Sequence, residues 1–186
     1  MPEKTVFITG ATAGIGAACA RRFAAAGSRV VLTGRRADRL EALKRELAGK
    51  AEVHTLAFDV RRRAEVEAAV ATLPPAFAAV DVLINNAGLA LGVAPAQAVA
   101  IEDWDSMVDT NVKGLLYCTR AILPGMVARD CGHVVNLGSV AGSYPYGGGS
   151  VYCGTKAFVH QFSLAMRSDL LGTKVRVTCV EPGMVE

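Results

Sequence analysis

Tyr152 and Lys156, a tyrosine and a lysine four residues apart, could together transfer a proton. The apolar spacing after them predicts a helix, in which residues i and i+4 share a face. A phenol has a reference pKa of about 10, and a positive charge about 4 Å away would bring such a pKa to roughly 7. The spacing also occurs on exposed helices that carry no chemistry, so the interpretation depends on companion residues, of which Ser139, thirteen residues upstream, is one.

A glycine-rich segment near the N-terminus has the spacing Gly-x-x-x-Gly-x-Gly, between a predicted strand at 4–9 and a predicted helix at 17–26. Glycines let a backbone approach a pyrophosphate, and a helix N-terminus offers it unpaired N–H groups and a favourable dipole. The spacing differs from the Gly-x-Gly-x-x-Gly of the common dinucleotide fingerprint, and a tight turn without a ligand is the alternative. We predict that this segment binds the phosphates of a dinucleotide through Gly10, Thr12, Ala13, Gly14, Ile15 and Gly16.

Predicted strands and helices alternate along the chain, which favours an α/β fold with a doubly wound parallel sheet of the Rossmann type in a single domain, residues 1–186. One long helix is expected from Trp104 to about Ala128, with a kink or a break near Pro124 and Gly125 because proline lacks a backbone N–H. The third helix is expected to stop at Pro74. The predicted strands cover 4–9, 28–33, 52–58, 80–84, 133–137 and 175–180.

The composition excludes several classes of protein. A chain of 186 residues with 52% hydrophobic residues can bury a sizeable core, and it has no uncharged run of transmembrane length. A net charge of +3 with scattered lysines and arginines argues against a nucleic-acid partner. The five cysteines are odd in number and show no Cys-x-x-Cys pairing, and the three histidines are widely separated. We therefore expect reduced thiols, no metal site, no membrane partner and a cytoplasmic location.

These motifs occur in the order found in the short-chain dehydrogenase/reductase family, which essentially the whole chain resembles. Further matches are Asn85-Asn86-Ala87-Gly88 after the fourth strand and Pro182-Gly183 after the last strand. The resemblance implies a catalytic tetrad of Asn111, Ser139, Tyr152 and Lys156. It also implies cofactor contacts from Asp59, Val60, Asn86, Ala87, Gly88, Tyr152, Lys156, Pro182 and Gly183.

The family resemblance also implies a role for each member of the tetrad. Tyr152 would exchange the proton of the substrate oxygen as general acid/base, and Ser139 would orient that oxygen. Lys156 would lower the phenol pKa and bind the nicotinamide ribose. Asn111 would hold a water molecule that connects Lys156 to solvent.

The end of the second predicted strand indicates which cofactor is bound. NAD-specific sites usually place a carboxylate there, whereas the 2′-phosphate of NADP needs cations. This chain has Arg35 and Arg36 after Gly34, and arginine can offer a phosphate bidentate, charge-assisted hydrogen bonds. We therefore predict NADP. The alternative is that both arginines are solvated residues ahead of the next helix.

Within the family, several strings resemble those of bacterial NADP-dependent 3-hydroxy acid dehydrogenases of the serine and allo-threonine type, among them 10–14, 33–36 and 85–92. This resemblance implies oxidation of short 3-hydroxy acids or reduction of short 3-oxo acids as the small-molecule substrates. Fold-mates carry different substrates, so a 3-oxoacyl, sugar or steroid reductase is the enzymatic alternative. A module that binds NADP without turnover is the non-catalytic alternative.

The sequence ends at Glu186, shortly after Pro182-Gly183, whereas members of the family continue with a substrate-covering segment, a helix and a strand. We therefore expect the C-terminal substrate-covering segment to be absent from this chain, together with residues that would bind a substrate carboxylate. The resemblance further implies a homo-oligomer, either a dimer or a tetramer, formed partly through the helices that carry Asn111 and Tyr152.

Overall fold

Six parallel strands form the central sheet of the computed structural model, which describes residues 4–184. The spatial order is β3-β2-β1-β4-β5-β6, so the order of the strands reverses between β1 and β4. The predicted doubly wound parallel sheet is confirmed. The strands are β1 Thr5–Ile8, β2 Arg29–Gly34, β3 Val53–Ala57, β4 Val82–Asn85, β5 Gly132–Leu137 and β6 Val175–Val180.

Helices cover both faces of this sheet because successive strand side chains point to opposite faces. Val6 and Ile8 belong to one buried apolar cluster, which includes Leu40, whereas Phe7 between them belongs to a second cluster with Met126. No helix among residues 4–184 is long and apolar enough to span a membrane. The helices are α1 Gly14–Ala25, α2 Ala37–Leu47, α3 Arg63–Ala71, α4 Pro75–Ala78, α5 Ile101–Val108, α6 Leu115–Ala128 and α7 Ser150–Asp169.

The long helix is irregular at a different place from the one predicted. The α-helical hydrogen bonding of α5 changes to a π-helical segment, Asp109–Gly114, before α6 begins. By contrast, α6 runs as one α-helix through Pro124 and Gly125, so a break there, one of the two predicted forms of interruption, is wrong. Pro124 lies on the exposed face of α6, where water can bind the carbonyl that a proline leaves without a donor. The widened turn instead surrounds Asn111.

A short helix that the sequence analysis did not predict follows α3. The third helix ends at Ala71, close to the predicted stop, and α4 then begins at Pro75 itself. Proline is well suited to a first helical position because its fixed φ fits the helix and its missing N–H would have had no partner there. Phe77 of α4 is buried in the core, which explains why one further helical turn packs here.

Candidate active site

A cavity of about 590 Å³ opens at the carboxyl ends of the strands. The segments that follow β1 and β4 both line it, and these strands flank the point at which the strand order reverses, where open α/β sheets bind ligands. The predicted site residues that line this cavity are Gly10, Thr12, Ala13, Gly14, Ile15, Arg35, Arg36, Asp59, Val60, Asn86, Ala87, Gly88, Ser139, Tyr152, Lys156, Pro182 and Gly183.

Two predicted residues, Gly16 and Asn111, do not line the cavity because both are buried behind its wall. The cavity also has lining residues that the sequence analysis missed. Most of these are small or apolar residues next to predicted positions, and such residue types carry no chemical pattern that a sequence could reveal. They are Gly34, Phe58, Leu89, Ala90, Thr110, Leu137 and Gly138.

The glycine-rich turn between β1 and α1 has the properties of an anion site. The residue before α1 is Ala13, whose side chain cannot cap the helix, and the first turn contains no acidic residue. Several N–H groups at this end of the helix therefore lack an intrahelical or side-chain acceptor. Gly10 and Gly14 both have positive φ, at +67° and +54°, which is why glycine suits these positions. The turn fits a dinucleotide pyrophosphate.

Gly16 keeps the turn packed against α1. A Cβ at Gly16 would lie 2.4 Å from the carbonyl oxygen of Gly10, which is a backbone atom that cannot rotate away. Gly16→Ala should therefore displace the turn and destabilise the protein by about 1–3 kcal/mol, with weaker dinucleotide binding. Denaturant unfolding and nucleotide titration measure the two effects.

The matched control for this prediction is Gly154→Ala. Gly154 is exposed on α7 and a Cβ there would meet no atom within 4 Å, so alanine should be neutral or stabilise by up to about 1 kcal/mol. Unchanged stability and binding in Gly16→Ala would contradict the close-packing argument.

The side chain of Asn86 supports the turn from beneath. Its Nδ2 donates to the carbonyl oxygens of Thr9 and Gly10 at 2.8 and 3.1 Å. The hydroxyl of Thr9 accepts hydrogen bonds from the backbone N–H groups of Asn86 and Ala87 at 3.0 and 2.9 Å. The two loops are thus fixed to each other. The sequence analysis missed Thr9 because its partners are more than seventy residues away along the chain.

Asn85, the first residue of the Asn-Asn-Ala-Gly motif, has a different place from Asn86. It pairs with Asn136 in the parallel register of β4 and β5 and is buried. Its Nδ2 donates to Asn136 Oδ1 and to Thr119 Oγ1, both at 2.9 Å. Asn85 therefore joins two strands and α6 inside the protein, while Asn86 faces the cavity.

Arg35 and Arg36 lie at the end of the cavity next to β2, and both are exposed. Arg36 donates from its guanidinium to Thr12 Oγ1 at 2.8 Å, which brings it to the glycine-rich turn. Within residues 4–184, neither arginine is in an ion pair with a carboxylate. Their positive charges are therefore available to an anionic ligand at this end of the cavity.

Asp59, after β3, is held by its neighbour Arg61. Burial disfavours the ionised carboxyl, but hydrogen bonds from Arg61 at 2.6–3.1 Å outweigh it and keep the pKa of Asp59 below its usual range. The carboxylate is thereby fixed beside the cavity. Val60 packs against Gly114 of the π-helical segment, where a Cβ would lie 2.8 Å from a Val60 methyl carbon.

Tyr152 and Lys156 share one face of α7 at the opposite end of the cavity from the arginines, as the spacing predicts. The Lys156 ammonium lies 5.8 Å from the centre of the Tyr152 ring and donates to the carbonyl oxygen of Leu137 at 2.7 Å. Burial lowers the pKa of Lys156 from its usual range to about 8. Ser139 caps the start of a short 3₁₀ helix, Val140–Gly142, and its hydroxyl accepts from the N–H of Ala141 at 3.2 Å. The three side chains line the same part of the cavity.

Asn111 lies behind Lys156, in the π-helical segment. Its amide bonds to both backbone groups of Leu89 at 2.8 Å, and its Nδ2 also donates to Thr155 Oγ1 at 3.1 Å. The Thr155 hydroxyl donates in turn to the carbonyl oxygen of Tyr152 at 2.8 Å. Thr155 thus connects Asn111 to the helix of the Tyr/Lys pair, a contact across 44 positions that no spacing within one motif could reveal.

Comparison with known proteins gives the same family as the motifs. The chain matches the short chain dehydrogenase family over residues 4–186. It is 58% identical over 180 residues to the NADP-dependent 3-hydroxy acid dehydrogenase YdfG of Salmonella typhi, a match that covers 97% of this chain and 72% of that protein. It is also 58% identical over 182 residues to serine 3-dehydrogenase of Agrobacterium fabrum, covering 98% of this chain and 72% of that one.

Solved structures agree with these sequence matches. Serine dehydrogenase from Escherichia coli superimposes with a TM-score of 0.93 at 55% identity, over 97% of this chain and 83% of that chain. The closed form of serine dehydrogenase complexed with NADP+ gives a TM-score of 0.94 at 55% identity, over 98% of this chain and 73% of that one. The resemblance that the motifs indicated is confirmed. The chain therefore belongs to the short-chain dehydrogenase family and is an oxidoreductase of that family.

Proposed function

We propose that this chain transfers a hydride between NADP(H) and a short 3-hydroxy acid or 3-oxo acid, with Tyr152 as the general acid/base. The observation that carries the proposal is one cavity with a glycine-rich turn and the exposed Arg35 and Arg36 at one end and Ser139, Tyr152 and Lys156 at the other. The substrate class rests on the 58% identity to a 3-hydroxy acid dehydrogenase and to a serine 3-dehydrogenase.

The cofactor would supply the hydride chemistry when bound, and the chain's residues would bind, orient and move a proton. The glycine-rich turn and α1 would hold the pyrophosphate, and Arg35 and Arg36 would hold a 2′-phosphate. Asp59 and Val60 would flank the adenine. Further along the cavity, the backbone of Asn86, Ala87 and Gly88 on one side and of Pro182 and Gly183 on the other would bracket the remainder of the cofactor.

In the oxidation direction, Tyr152 would accept the hydroxyl proton of the substrate, and in reduction it would return that proton to the carbonyl oxygen. Ser139 would orient the same oxygen because its hydroxyl lines the cavity beside Tyr152. The ammonium of Lys156 would favour the ionised phenol electrostatically. Its hydrogen bond to Leu137 fixes its position.

Asn111 would act one step further from the substrate. The Asn111 amide and the Lys156 ammonium both lie close to Gly88. A Cβ at Gly88 would be 3.3 Å from Asn111 Oδ1 and 3.6 Å from Lys156 Nζ. This proximity supports a relay in which a water molecule at Asn111 exchanges protons with Lys156.

The proposal is tested with a substrate panel and both cofactors. NADP+ reduction with serine or another short 3-hydroxy acid, and little with NAD+, is the expected result. Activity toward acyl thioesters with none toward 3-hydroxy acids would instead assign a 3-oxoacyl reductase. Absence of hydride transfer from labelled NADPH to every substrate would assign a non-catalytic binding module.

Arg35→Ala should weaken NADPH binding by roughly 10- to 100-fold, since a hydrogen bond to a charged group contributes about 1.5–3 kcal/mol. NADH binding should be unchanged because NADH lacks the 2′-phosphate. Titration followed by nicotinamide fluorescence measures both affinities. Arg39→Ala is the matched control, because Arg39 is exposed on α2 and does not line the cavity. If the parent chain binds NADH as tightly as NADPH, the assignment of Arg35 and Arg36 to the 2′-phosphate is wrong.

A homo-oligomer, dimer or tetramer, is part of the same proposal. Its support is the family resemblance and the exposure of apolar side chains on α5, α6 and α7, namely Val108, Val127 and Leu164, which are 36, 40 and 38% exposed. Light scattering of the eluted protein would give the mass directly, and a monomer at micromolar concentration would contradict this part.

A further inference from the structure

Three side chains of types that commonly bind metals meet where β6 ends beside α7. The Nδ1 of His160 and the Oε1 of Glu181 are 2.5 Å apart, and the Sγ of Cys179 is 3.6 Å from the same oxygen. All three potential ligand atoms lie within 4.8 Å of one another. The cluster combines an imidazole, a thiol and one carboxylate. Because it contains only one acidic group, no repulsion between like charges opposes the approach of the three side chains.

The cluster lies outside the cavity described above and is open to solvent. None of its three residues lines that cavity. The side chains of His160 and Glu181 are 42% and 27% exposed, so an ion could enter from solvent. Gly138 lies against the side chains of Cys179 and Glu181. A Cβ at Gly138 would be 2.9 Å from both Cys179 Sγ and Glu181 Cγ, so glycine leaves the space that these two side chains occupy.

One of the three ligand distances already matches that of a tetrahedral zinc site, and all three lie within 4.8 Å, so rotation of side chains can complete the geometry. Bond lengths of about 2.0–2.3 Å place a nitrogen and an oxygen ligand about 3.3 Å apart, and a sulfur and an oxygen ligand about 3.6 Å apart. The Sγ to Oε1 distance is already 3.6 Å. The imidazole and the carboxylate, now hydrogen-bonded directly, must separate by somewhat less than 1 Å, which rotation of two partly exposed side chains can provide.

We propose that His160, Cys179 and Glu181 bind one Zn²⁺ ion, with water as the fourth ligand. Zinc accepts nitrogen, sulfur and oxygen ligands together, whereas magnesium and calcium prefer oxygen alone. The thiol proton of Cys179 passes to the solvent when the sulfur binds the ion. Cys179 and Glu181, at the carboxyl end of β6, would then be joined through the metal to His160 of α7.

The metal link between β6 and α7 would stabilise the wall of the cavity without taking part in the reaction there. Glu181 is followed directly by Pro182 and Gly183, which line the cavity, and His160 lies one helical turn after Lys156 on α7. A ligand that binds only the folded protein raises its unfolding temperature. We therefore expect Zn²⁺ to raise the unfolding temperature of the parent chain.

The test uses Co²⁺ as a spectroscopic probe on the full chain, stripped of metal with a chelator and free of any histidine tag. One equivalent of Co²⁺ should produce a thiolate-to-metal charge-transfer band in the near ultraviolet, and Zn²⁺ should displace it. Cys179→Ala should abolish the band, and Cys179→Ser, which keeps the size of the side chain, should do the same. His160→Gln should weaken Co²⁺ binding at least tenfold.

Cys131→Ala is the matched control. Cys131 is exposed just before the amino end of β5, whereas the cluster lies at the carboxyl end of the parallel neighbour β6, so its replacement should leave the band and the affinity unchanged. Absence of the band in the parent chain would overturn the proposal, and so would a band that survives in Cys179→Ser. Unchanged affinity in His160→Gln would also overturn it, leaving His160 and Glu181 as a hydrogen-bonded pair.

Discussion

Tyr152→Phe should lower kcat by about two to four orders of magnitude, which is the usual contribution of a positioned general acid or base. The substitution keeps the ring and its packing and removes the hydroxyl that would exchange the substrate proton. Within residues 4–184, the structure records no hydrogen bond from this hydroxyl to another residue, so the fold should lose nothing with it. Steady-state kinetics with whichever substrate the parent chain turns over measures the effect.

Binding separates this loss from a structural one. NADPH affinity in Tyr152→Phe should stay close to that of the parent chain, because the pyrophosphate and 2′-phosphate contacts lie at the other end of the cavity. Tyr144→Phe is the matched control, since Tyr144 is 77% exposed and does not line the cavity, and its kcat should not change. A kcat for Tyr152→Phe within tenfold of the parent would exclude this phenol as the acid/base.

Lys156→Met should change how the stability of the protein depends on pH, and by a large amount. The pKa of Lys156 is about 8 in the folded protein because the ammonium is buried, whereas an unfolded lysine has a pKa of about 10.4. A difference of this size corresponds to about 3 kcal/mol. The cost of burying the charge is therefore a substantial part of a typical unfolding free energy.

The direction follows from proton binding in the two states. Below pH 8 both states carry the proton, and the folded protein bears the full cost of the buried ammonium. Between about pH 8 and about pH 10.4 the unfolded state holds more protons than the folded one, so this group makes the unfolding free energy rise with pH. The parent chain should thus gain up to about 3 kcal/mol relative to Lys156→Met over that interval.

Denaturant unfolding without cofactor, at several pH values from 7 to 10.5, measures this difference. Lys156→Met also loses the hydrogen bond to Leu137, which changes its unfolding free energy by an amount that does not depend on pH. The test is therefore the slope, against pH, of the difference in unfolding free energy between the parent chain and the variant. Lys50→Met, at an exposed position after α2, is the matched control and should differ from the parent by a constant amount. A constant difference for Lys156→Met would contradict the burial argument. The same variant should also lose activity, because it lacks the charge beside Tyr152.

Local patterns predicted most of the elements because their causes are local. The alternation of apolar strands and helices along the sequence predicted six strands close to their observed bounds. The absence of a break at Pro124 has a tertiary reason. Whether a proline breaks a helix depends on which face it occupies, and here that face is exposed. The π-helical segment around Asn111 has no residue type that marks it in advance.

The chemistry that each segment could perform can be inferred from residues that are close together in the chain. Three glycines between a strand and a helix indicate a place for phosphate, a Tyr/Lys pair at helical spacing indicates proton transfer, and the arginines after β2 indicate an additional phosphate. These inferences hold because the relevant partners are within a few residues of one another. Parallel strands then bring their carboxyl ends to one edge of the sheet, so the cavity follows from the fold class.

Contacts between side chains that are far apart in the chain arise only in the folded protein. Thr155 and Asn111 are 44 positions apart, and Thr9 reaches Asn86 across 77. His160, Cys179 and Glu181 show no metal-ligand spacing in the sequence, yet the packing of β6 on α7 brings their ligand atoms together. The lowered pKa of Lys156 likewise arises from burial. Such contacts depend on how distant elements pack in three dimensions, which no periodicity within one segment records.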